Sequence, residues 1–182
     1  MEYLSDSELR SLLEVTYRQD RVLHLMILTA LCHALRSAEL LSLRPEDIDG
    51  SYISVHALKN GNSRLEPLHA SDDPLLDERM LAVHAHGVRA AGGAKLFPIS
   101  RATADRMIKR YCALAGIPSV KAHWHSLRHS NAMLVFKRTT SLGCVKQSLR
   151  HRAWSSTLIY LNESDSQKAF TALREGLAEI SR

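Results

Sequence analysis

Apolar residues recur at a helical spacing near the start of this chain. Leu9, Leu12 and Leu13 form one stripe, and Ser5 and Glu8 before it have the spacing of a capping box. A helix is therefore predicted to begin one residue after Ser5.

The next apolar run, VLHLMILTALCHAL, is hydrophobic on nearly every face and predicts a buried helix over about residues 21–35. A short helix, SAELLSL, follows it and is predicted to stop at Pro45, because the residue before a proline is biased away from helical geometry.

The period of the pattern then changes. In SYISVHAL the apolar residues alternate as they do in a strand, KNGNS has the composition of a turn, and RLEPL returns to extended structure. These segments predict a hairpin or a small three-stranded sheet whose exposed tip lies near residues 60–62.

Helical patterns resume afterwards and continue to the end. Ser100 is the predicted N-cap of one of these helices, and Gly116 lies just past its end. The segments predicted as helices are DERMLAVHAHGVRAA, RATADRMIKRYCALAG, HSLRHSNAMLVFKR, SLGCVKQSL, a short helix around Tyr160, and SQKAFTALREGLAEI. The chain is thus predicted to be a mainly α protein with a small antiparallel β-sheet (α+β), folded as one domain over residues 1–182.

The composition adds a weak indication of the partner. The net charge is +5 and the pI is about 9.3, which favours a polyanion such as nucleic acid but is also compatible with an ordinary solvated surface. Three cysteines without CxxC spacing indicate a reducing compartment. The longest apolar run is too short to span a bilayer, and no signal peptide follows Met1, so a cytoplasmic protein without membrane association is expected.

The segment HSLRHS contains the first candidate for chemistry. His125 and Arg128 are three residues apart, so on a helix they share a face from which both can donate to one phosphate. The spacing alone is weak evidence because it recurs in HALR and HGVR. No HExxH motif is present, and neither a metal nor a cofactor is predicted.

The order of several segments gives that pair its significance. ALRSAELLSL places Arg36 after the buried helix, and KNGNSRLEPL places Lys59 just before the hairpin tip. AHWHSLRHS follows, then Leu-Arg-His ending at His151, then Tyr160 nine residues later. In these motifs, from about residue 4 to residue 160, the sequence resembles the catalytic domain of the tyrosine recombinases, or phage integrases. AHWHSLRHS is similar to the central motif of the short fimbrial phase-switch inverting recombinases.

The chain departs from the family pattern in two turns. His33-Ala34-Leu35 stands where Thr-Gly-Leu is common, and Leu149-Arg150-His151 stands where the family has Leu-Gly-His. Glycine relaxes a left-handed turn at such a position, so an arginine there predicts either strain or a locally different turn.

The resemblance implies the fold of a DNA breaking-rejoining enzyme and a phosphate clamp. Arg36 and Arg128 would hold the non-bridging oxygens of a phosphodiester, and His125 and His151 would hydrogen-bond the same oxygens. Fixed cations of this kind stabilise the charge that grows towards the pentavalent transition state.

The resemblance also implies the reaction. Tyr160 would attack the phosphorus and form a 3′-phosphotyrosine link, Lys59 would protonate the leaving 5′-oxygen, and His125 is a candidate acceptor for the tyrosine proton. The function implied is site-specific DNA recombination by integration, excision or inversion.

The implied partners are double-stranded DNA and further copies of the chain, from dimer to tetramer, in a DNA-associated cytoplasmic protein. The predicted helix at residues 166–180 would dock on a neighbouring subunit. Most family members carry an additional N-terminal domain that clamps the far side of DNA, so this chain is expected to be either a fragment or a naturally short enzyme.

Other interpretations stay open on the sequence alone. Arg36 could simply pair with Glu39, Lys59 and His151 could be ordinary surface and structural residues, and Tyr160 could be a half-buried aromatic with a hydrated hydroxyl. At the level of the whole protein, the alternatives are a non-catalytic DNA-binding regulator on the same fold and a type IB topoisomerase-like enzyme that nicks and reseals.

Overall fold

The computed structural model describes residues 2–56, 63–158 and 160. The helices are α1 (Asp6–Gln19), α2 (Arg21–Cys32), α3 (Ser37–Ser42), α4 (Met80–Ala90), α5 (Arg101–Leu114), α6 (Trp124–Thr139), α7 (Leu142–Ser148) and α8 (Ser155–Leu158). The strands are β1 (Ile48–Asp49), β2 (Tyr52–Val55) and β3 (Arg64–Pro67). The mainly α fold with a small antiparallel sheet is confirmed.

Helix α1 begins where the capping box predicts. The Ser5 hydroxyl accepts from the backbone N–H of Glu8, and the Glu8 carboxylate accepts from the N–H of Ser5. Its apolar stripe at Leu9, Leu12 and Leu13 is buried in the main core. The helix therefore packs against α2 and α5 with the face that the sequence pattern identifies.

Helix α2 forms the centre of the main core and is buried on nearly every side. It ends at Cys32, three residues before the predicted end, because Ala34 adopts a left-handed conformation with φ of 47°. The Asn131 side-chain amide on α6 donates to the carbonyl of Leu31 at 2.8 Å. That bond fixes the end of α2 against α6.

The sheet has the order β1-β2-β3 with both neighbouring pairs antiparallel. Ile53 and Val55 on β2 point into the main core, as alternation predicts. On β3, the Arg64 guanidinium donates to the Gln147 carbonyl on α7 at 3.0 Å, so the hairpin contacts the later helices. The predicted hairpin tip, with Lys59, lies outside the described residues.

A second, smaller apolar cluster joins α6, α7 and the region of α8. It consists of Ala34, Ala132, Val145, Leu149 and Tyr160. This cluster brings together the turns that follow α2 and α7, and it includes Tyr160. The fold thereby assembles three distant parts of the sequence at one place.

Helix α4 begins at Met80, three residues later than its sequence pattern suggests. Ser100 caps α5 through its hydroxyl, and Gly116 adopts φ of 72° just past the end of that helix, both as predicted. The predicted helix at residues 166–180 lies outside the described residues. In the described part of the chain, no helix combines the length and apolarity that crossing a membrane requires.

Candidate active site

The turn after α2 ends the helix with a Schellman motif. The backbone N–H of Leu35 donates to the Ala30 carbonyl at 3.0 Å, and the N–H of Ala34 donates to the Leu31 carbonyl at 3.4 Å. Ala34 occupies the left-handed position of this motif. Arg36 follows directly, so the turn sets the position of the first predicted arginine.

The turn after α7 has the same construction. The N–H of His151 donates to the Lys146 carbonyl and the N–H of Arg150 to the Gln147 carbonyl, both at 3.0 Å. Arg150 takes the left-handed position with φ of 54°. The two outcomes predicted at Arg150 are strain and a locally different turn. The structure shows the first, because the left-handed turn is kept by a non-glycine residue. This turn positions His151.

Arg128 on α6 joins the two turns. One terminal nitrogen of its guanidinium donates to the Ala34 carbonyl and the other donates to the Leu149 carbonyl. The residue is 1% exposed. Burial lowers the pKa of Arg128, with further lowering by the charges of Arg36 and Arg150, to about 10, so the side chain stays cationic at neutral pH.

Arg36 lies at the N-cap of α3 and is the more open of the two predicted arginines, with 44% of its side chain exposed. Glu39 holds it twice: one carboxylate oxygen accepts from the Arg36 backbone N–H and the other from its guanidinium, each at 2.9 Å. The predicted pairing with Glu39 is therefore present, and it leaves much of the guanidinium accessible.

The Arg150 side chain folds back under the first turn. Its guanidinium donates to the His33 carbonyl at 2.6 Å, to the Ala34 carbonyl at 3.3 Å and to the Glu39 carboxylate at 3.2 Å. The side chain is 3% exposed. The two departures from the family pattern, at residues 33–34 and at Arg150, are thus in direct contact.

A buried ionic network continues from this turn to the sheet. The His33 ring donates to Glu66 on β3 at 2.7 Å through Nδ1 and contacts Glu78 at 3.0 Å through Nε2. Burial by itself would lower the pKa of His33, but the hydrogen bonds to the two carboxylates raise it to about 9. His33 is therefore an imidazolium at neutral pH.

His125 and His151 share one electrostatic environment. Burial lowers the pKa of His125, and the charge of Arg128 lowers it further. Burial lowers the pKa of His151 to about 4, with added effects of Arg128 and Arg36. Both rings are neutral at pH 7, and the His151 Nδ1 lies 3.1 Å from the Thr157 hydroxyl on α8.

Tyr160 is buried, with 2% of its surface exposed. Its hydroxyl lies 2.7 Å from Nδ1 of His129, so it is not hydrated by solvent. Burial raises the pKa of Tyr160 to about 12, although the charge of Arg128 opposes the shift. Sequence reasoning did not select His129, yet the signal was present: it follows Arg128 in HSLRHS and lies one helical turn after His125.

The structure brings five of the six predicted residues to one place, and Lys59 lies outside the described part of the chain. Beside this cluster runs a groove of about 620 Å³ whose walls carry three cationic side chains and one carboxylate. Its charged or ionisable lining residues are Arg36, Arg101, Asp105, Lys109, His123 and His125. Over residues 2–56, 63–158 and 160, no set of three or more His, Cys, Asp or Glu side chains is grouped to hold a metal ion.

Comparisons with known proteins give one consistent result. The model of the phage integrase family matches residues 2–167. A curated tyrosine recombinase of Pseudothermotoga lettingae is 27% identical over 180 residues, which is 98% of this chain but 62% of that protein.

Two solved structures give the same fold at lower identity. The crystal structure of XerA recombinase superimposes with a TM-score of 0.74 at 24% identity and covers 96% of this chain and 65% of that one. The XerH site-specific recombinase, solved as a post-cleavage complex with its palindromic difH substrate, has a TM-score of 0.72 at 20% identity, covering 95% and 53%. The chain thus spans about three fifths of the length of the curated relative and at most about two thirds of the length of these two solved chains.

Proposed function

Because this chain belongs to the phage integrase family, we propose that it is the catalytic domain of a site-specific DNA recombinase. It cleaves a DNA strand by forming a 3′-phosphotyrosine link through Tyr160, and it rejoins strands by reversing that step. The covalent link conserves the energy of the phosphodiester bond, so the proposed reaction needs neither ATP nor a metal ion.

The observation that carries this proposal is the position of Tyr160 against both turns. Tyr160 belongs to the same buried apolar cluster as Ala34 and Leu149, whose carbonyls accept from the Arg128 guanidinium. A tyrosine buried for structural reasons alone would not have to lie near the two turns that position Arg36 and His151. A nucleophile has to lie near these turns, because they position its phosphate clamp.

The clamp is divided between two arginines with different surroundings. Arg36 is half exposed and oriented by Glu39, so its planar guanidinium can bind two phosphate oxygens directly. Arg128 is buried, and its charge acts at short range in a site of low polarity. Together they supply the fixed positive charge that a pentavalent phosphorus transition state requires.

The neutral histidines complete the clamp in the proposed mechanism. With lowered pKa values, His125 and His151 each carry one ring N–H at neutral pH, and that N–H can donate to a phosphate oxygen. Lys59, which lies in the sequence between β2 and β3, is the proposed acid that protonates the leaving 5′-oxygen.

The groove beside the cluster supports double-stranded DNA as the substrate. Arg101 and Lys109 are exposed on α5, eight residues or about two helical turns apart, so they lie on one face of that helix. A line of basic residues leading to the clamp is what contact with a DNA backbone requires. We propose self-association on DNA, from dimer to tetramer, with the helix predicted at residues 166–180 docking on a neighbouring subunit.

The experiment that tests this function traps the covalent intermediate. The protein is incubated in EDTA with supercoiled DNA that carries the flanks of its own gene, and the reaction is stopped with SDS. We expect an SDS-resistant protein–DNA band for the unmodified protein and none for Tyr160→Phe. DNA binding in a shift assay without any band would overturn the proposal in favour of a non-catalytic DNA-binding protein.

A further inference from the structure

The Tyr160 hydroxyl has to lose its proton when its oxygen attacks phosphorus. The proposed phosphate clamp does not identify the group that accepts this proton. The sequence resemblance makes His125 a candidate acceptor of that proton. In the structure, however, the Tyr160 hydroxyl contacts Nδ1 of His129 at 2.7 Å. The His129 ring in turn lies edge-on to the ring of His125, with 4.4 Å between centroids. His129 is thus the group in contact with the reacting atom.

The direction of this hydrogen bond follows from the two environments. Burial, together with the electrostatic effects of His125 and Arg128, lowers the pKa of His129 to about 4, so the ring is neutral. The pKa of Tyr160 is about 12, so the phenol is protonated. The hydroxyl therefore donates, and Nδ1 of His129 presents its lone pair.

We propose that His129 is a catalytic residue that accepts the phenolic proton of Tyr160 during strand cleavage and returns it during rejoining. This inference rests on the function proposed above. In cleavage, the bond between Tyr160 Oη and phosphorus forms, the bond between phosphorus and the 5′-oxygen breaks, and the electron pair goes to that oxygen, which takes a proton from Lys59. The Tyr160 proton moves to Nδ1 of His129, and every transfer runs backwards when the 5′-hydroxyl attacks.

Binding of DNA makes His129 a better base than it is in the free protein. The proton affinity of His129 is lowered by burial and by the electrostatic effects of His125, Arg128 and His123. A bound phosphate places negative charge beside Arg128 and the histidines, which offsets their positive potential and stabilises an imidazolium at His129. The proton acceptor therefore gains strength when a substrate is present to be attacked.

The first test uses His129→Asn. The asparagine side-chain oxygen can stand near the position of Nδ1 and accept the Tyr160 hydrogen bond, but it cannot hold a proton at neutral pH. We expect covalent-complex formation on the gene-flank DNA to fall about 100-fold at pH 7 in this variant, the low end for loss of a general base. The rate should rise with pH up to 9.5 because hydroxide then removes the proton. Affinity in a shift assay should be unchanged, which also shows that the variant is folded.

The second test separates the base from the acid. DNA with sulfur in place of the bridging 5′-oxygen has a leaving group that needs no proton. We expect this substrate to restore cleavage to Lys59→Ala but not to His129→Asn or His129→Gln. Restoration of the His129 variants would overturn the inference.

The outcomes distinguish this inference from the function on which it rests. A covalent band that is lost in Tyr160→Phe but formed at the unmodified rate, or faster, by His129→Asn leaves the recombinase function intact and overturns the role of His129 as a base. In that case the histidine only holds the tyrosine in place. No band with the unmodified protein overturns both.

Discussion

Two single residues, Ala34 and Arg150, adopt a backbone conformation that favours glycine. Their φ angles are 47° and 54°, and each ends a helix in a Schellman motif. The left-handed conformation costs an L-residue about 1–2 kcal/mol. The contacts around both turns offset this: Arg128 binds the Ala34 and Leu149 carbonyls, and Arg150 binds the carbonyls of His33 and Ala34.

Substitution of Arg150 separates the backbone effect from the side-chain effect. Arg150→Ala removes the buried bond to Glu39 and keeps the strained backbone, and we expect it to lower the free energy of unfolding by about 3 kcal/mol, as for a broken buried ion pair. Arg150→Gly removes the same contacts but relaxes the turn, so it should be more stable than Arg150→Ala by about 1 kcal/mol. Urea unfolding of both variants measures the difference.

The matched control for this pair is the exposed Arg152, two residues further on. Its alanine and glycine variants should stay within about 0.5 kcal/mol of the unmodified protein. Equal stability of Arg150→Ala and the unmodified protein would show that the buried guanidinium contributes nothing net.

At the scale of elements, His33 ties the end of α2 to β3 and to the segment before α4. Its pKa is about 9 in the folded protein and about 6.5 in the unfolded chain. A raised folded-state pKa stabilises the protein below the unfolded value, so this contribution is complete below pH 6.5 and is lost as the pH rises through 9. The shift corresponds to at most about 3 kcal/mol.

His33→Gln tests this link because the glutamine amide nitrogen can donate to a carboxylate without titrating. We expect the unmodified protein to lose stability between pH 6.5 and pH 9.5 in urea unfolding, whereas His33→Gln should lose much less over that range. The absolute stability of the variant is not the readout; the slope against pH is. Parallel slopes for the two proteins would contradict a charged His33.

Periodicity could predict most elements of this fold because their apolar faces meet one core. It placed the start of α1 and the caps of α5 correctly, since those ends depend on local hydrogen bonds. It extended α2 to residue 35 because Ala34 and Leu35 are apolar and buried. An apolar pattern does not show where the backbone becomes left-handed, as it does at Ala34.

Motif order could likewise predict the candidate site, with one omission. Arg36, Arg128, His151 and Tyr160 come together although up to 124 residues separate them in the chain. The sequence did not select His129, since its role depends on where Tyr160 packs. Its position in HSLRHS, one helical turn after His125, places it near the clamp but does not indicate that it contacts Tyr160.

For the whole molecule, the net charge of +5 gains meaning from its distribution. The groove leads along α5 to the exposed Arg36. His33 and Arg150 are buried in pairs with Glu39, Glu66 and Glu78, and Arg128 is buried against two backbone carbonyls. The buried contacts hold the two turns in place, and the exposed cations of the groove are accessible to a polyanion. Division of the charges in this way predicts that DNA affinity depends on the groove more than on total charge.

The salt dependence of DNA binding tests that distribution directly. Arg101→Gln with Lys109→Gln removes two groove cations, and we expect the slope of log affinity against log salt concentration to become shallower by about 2, because each neutralised phosphate contributes about 0.9. The control is Lys137→Gln with Arg138→Gln, which removes the same charge from the far end of the 16-residue α6, about 18–20 Å from His125 along the axis. Fluorescence anisotropy of a duplex from the gene flank, titrated at several NaCl concentrations, gives both slopes. Equal changes in the two double variants would mean that total charge, rather than the groove, determines affinity.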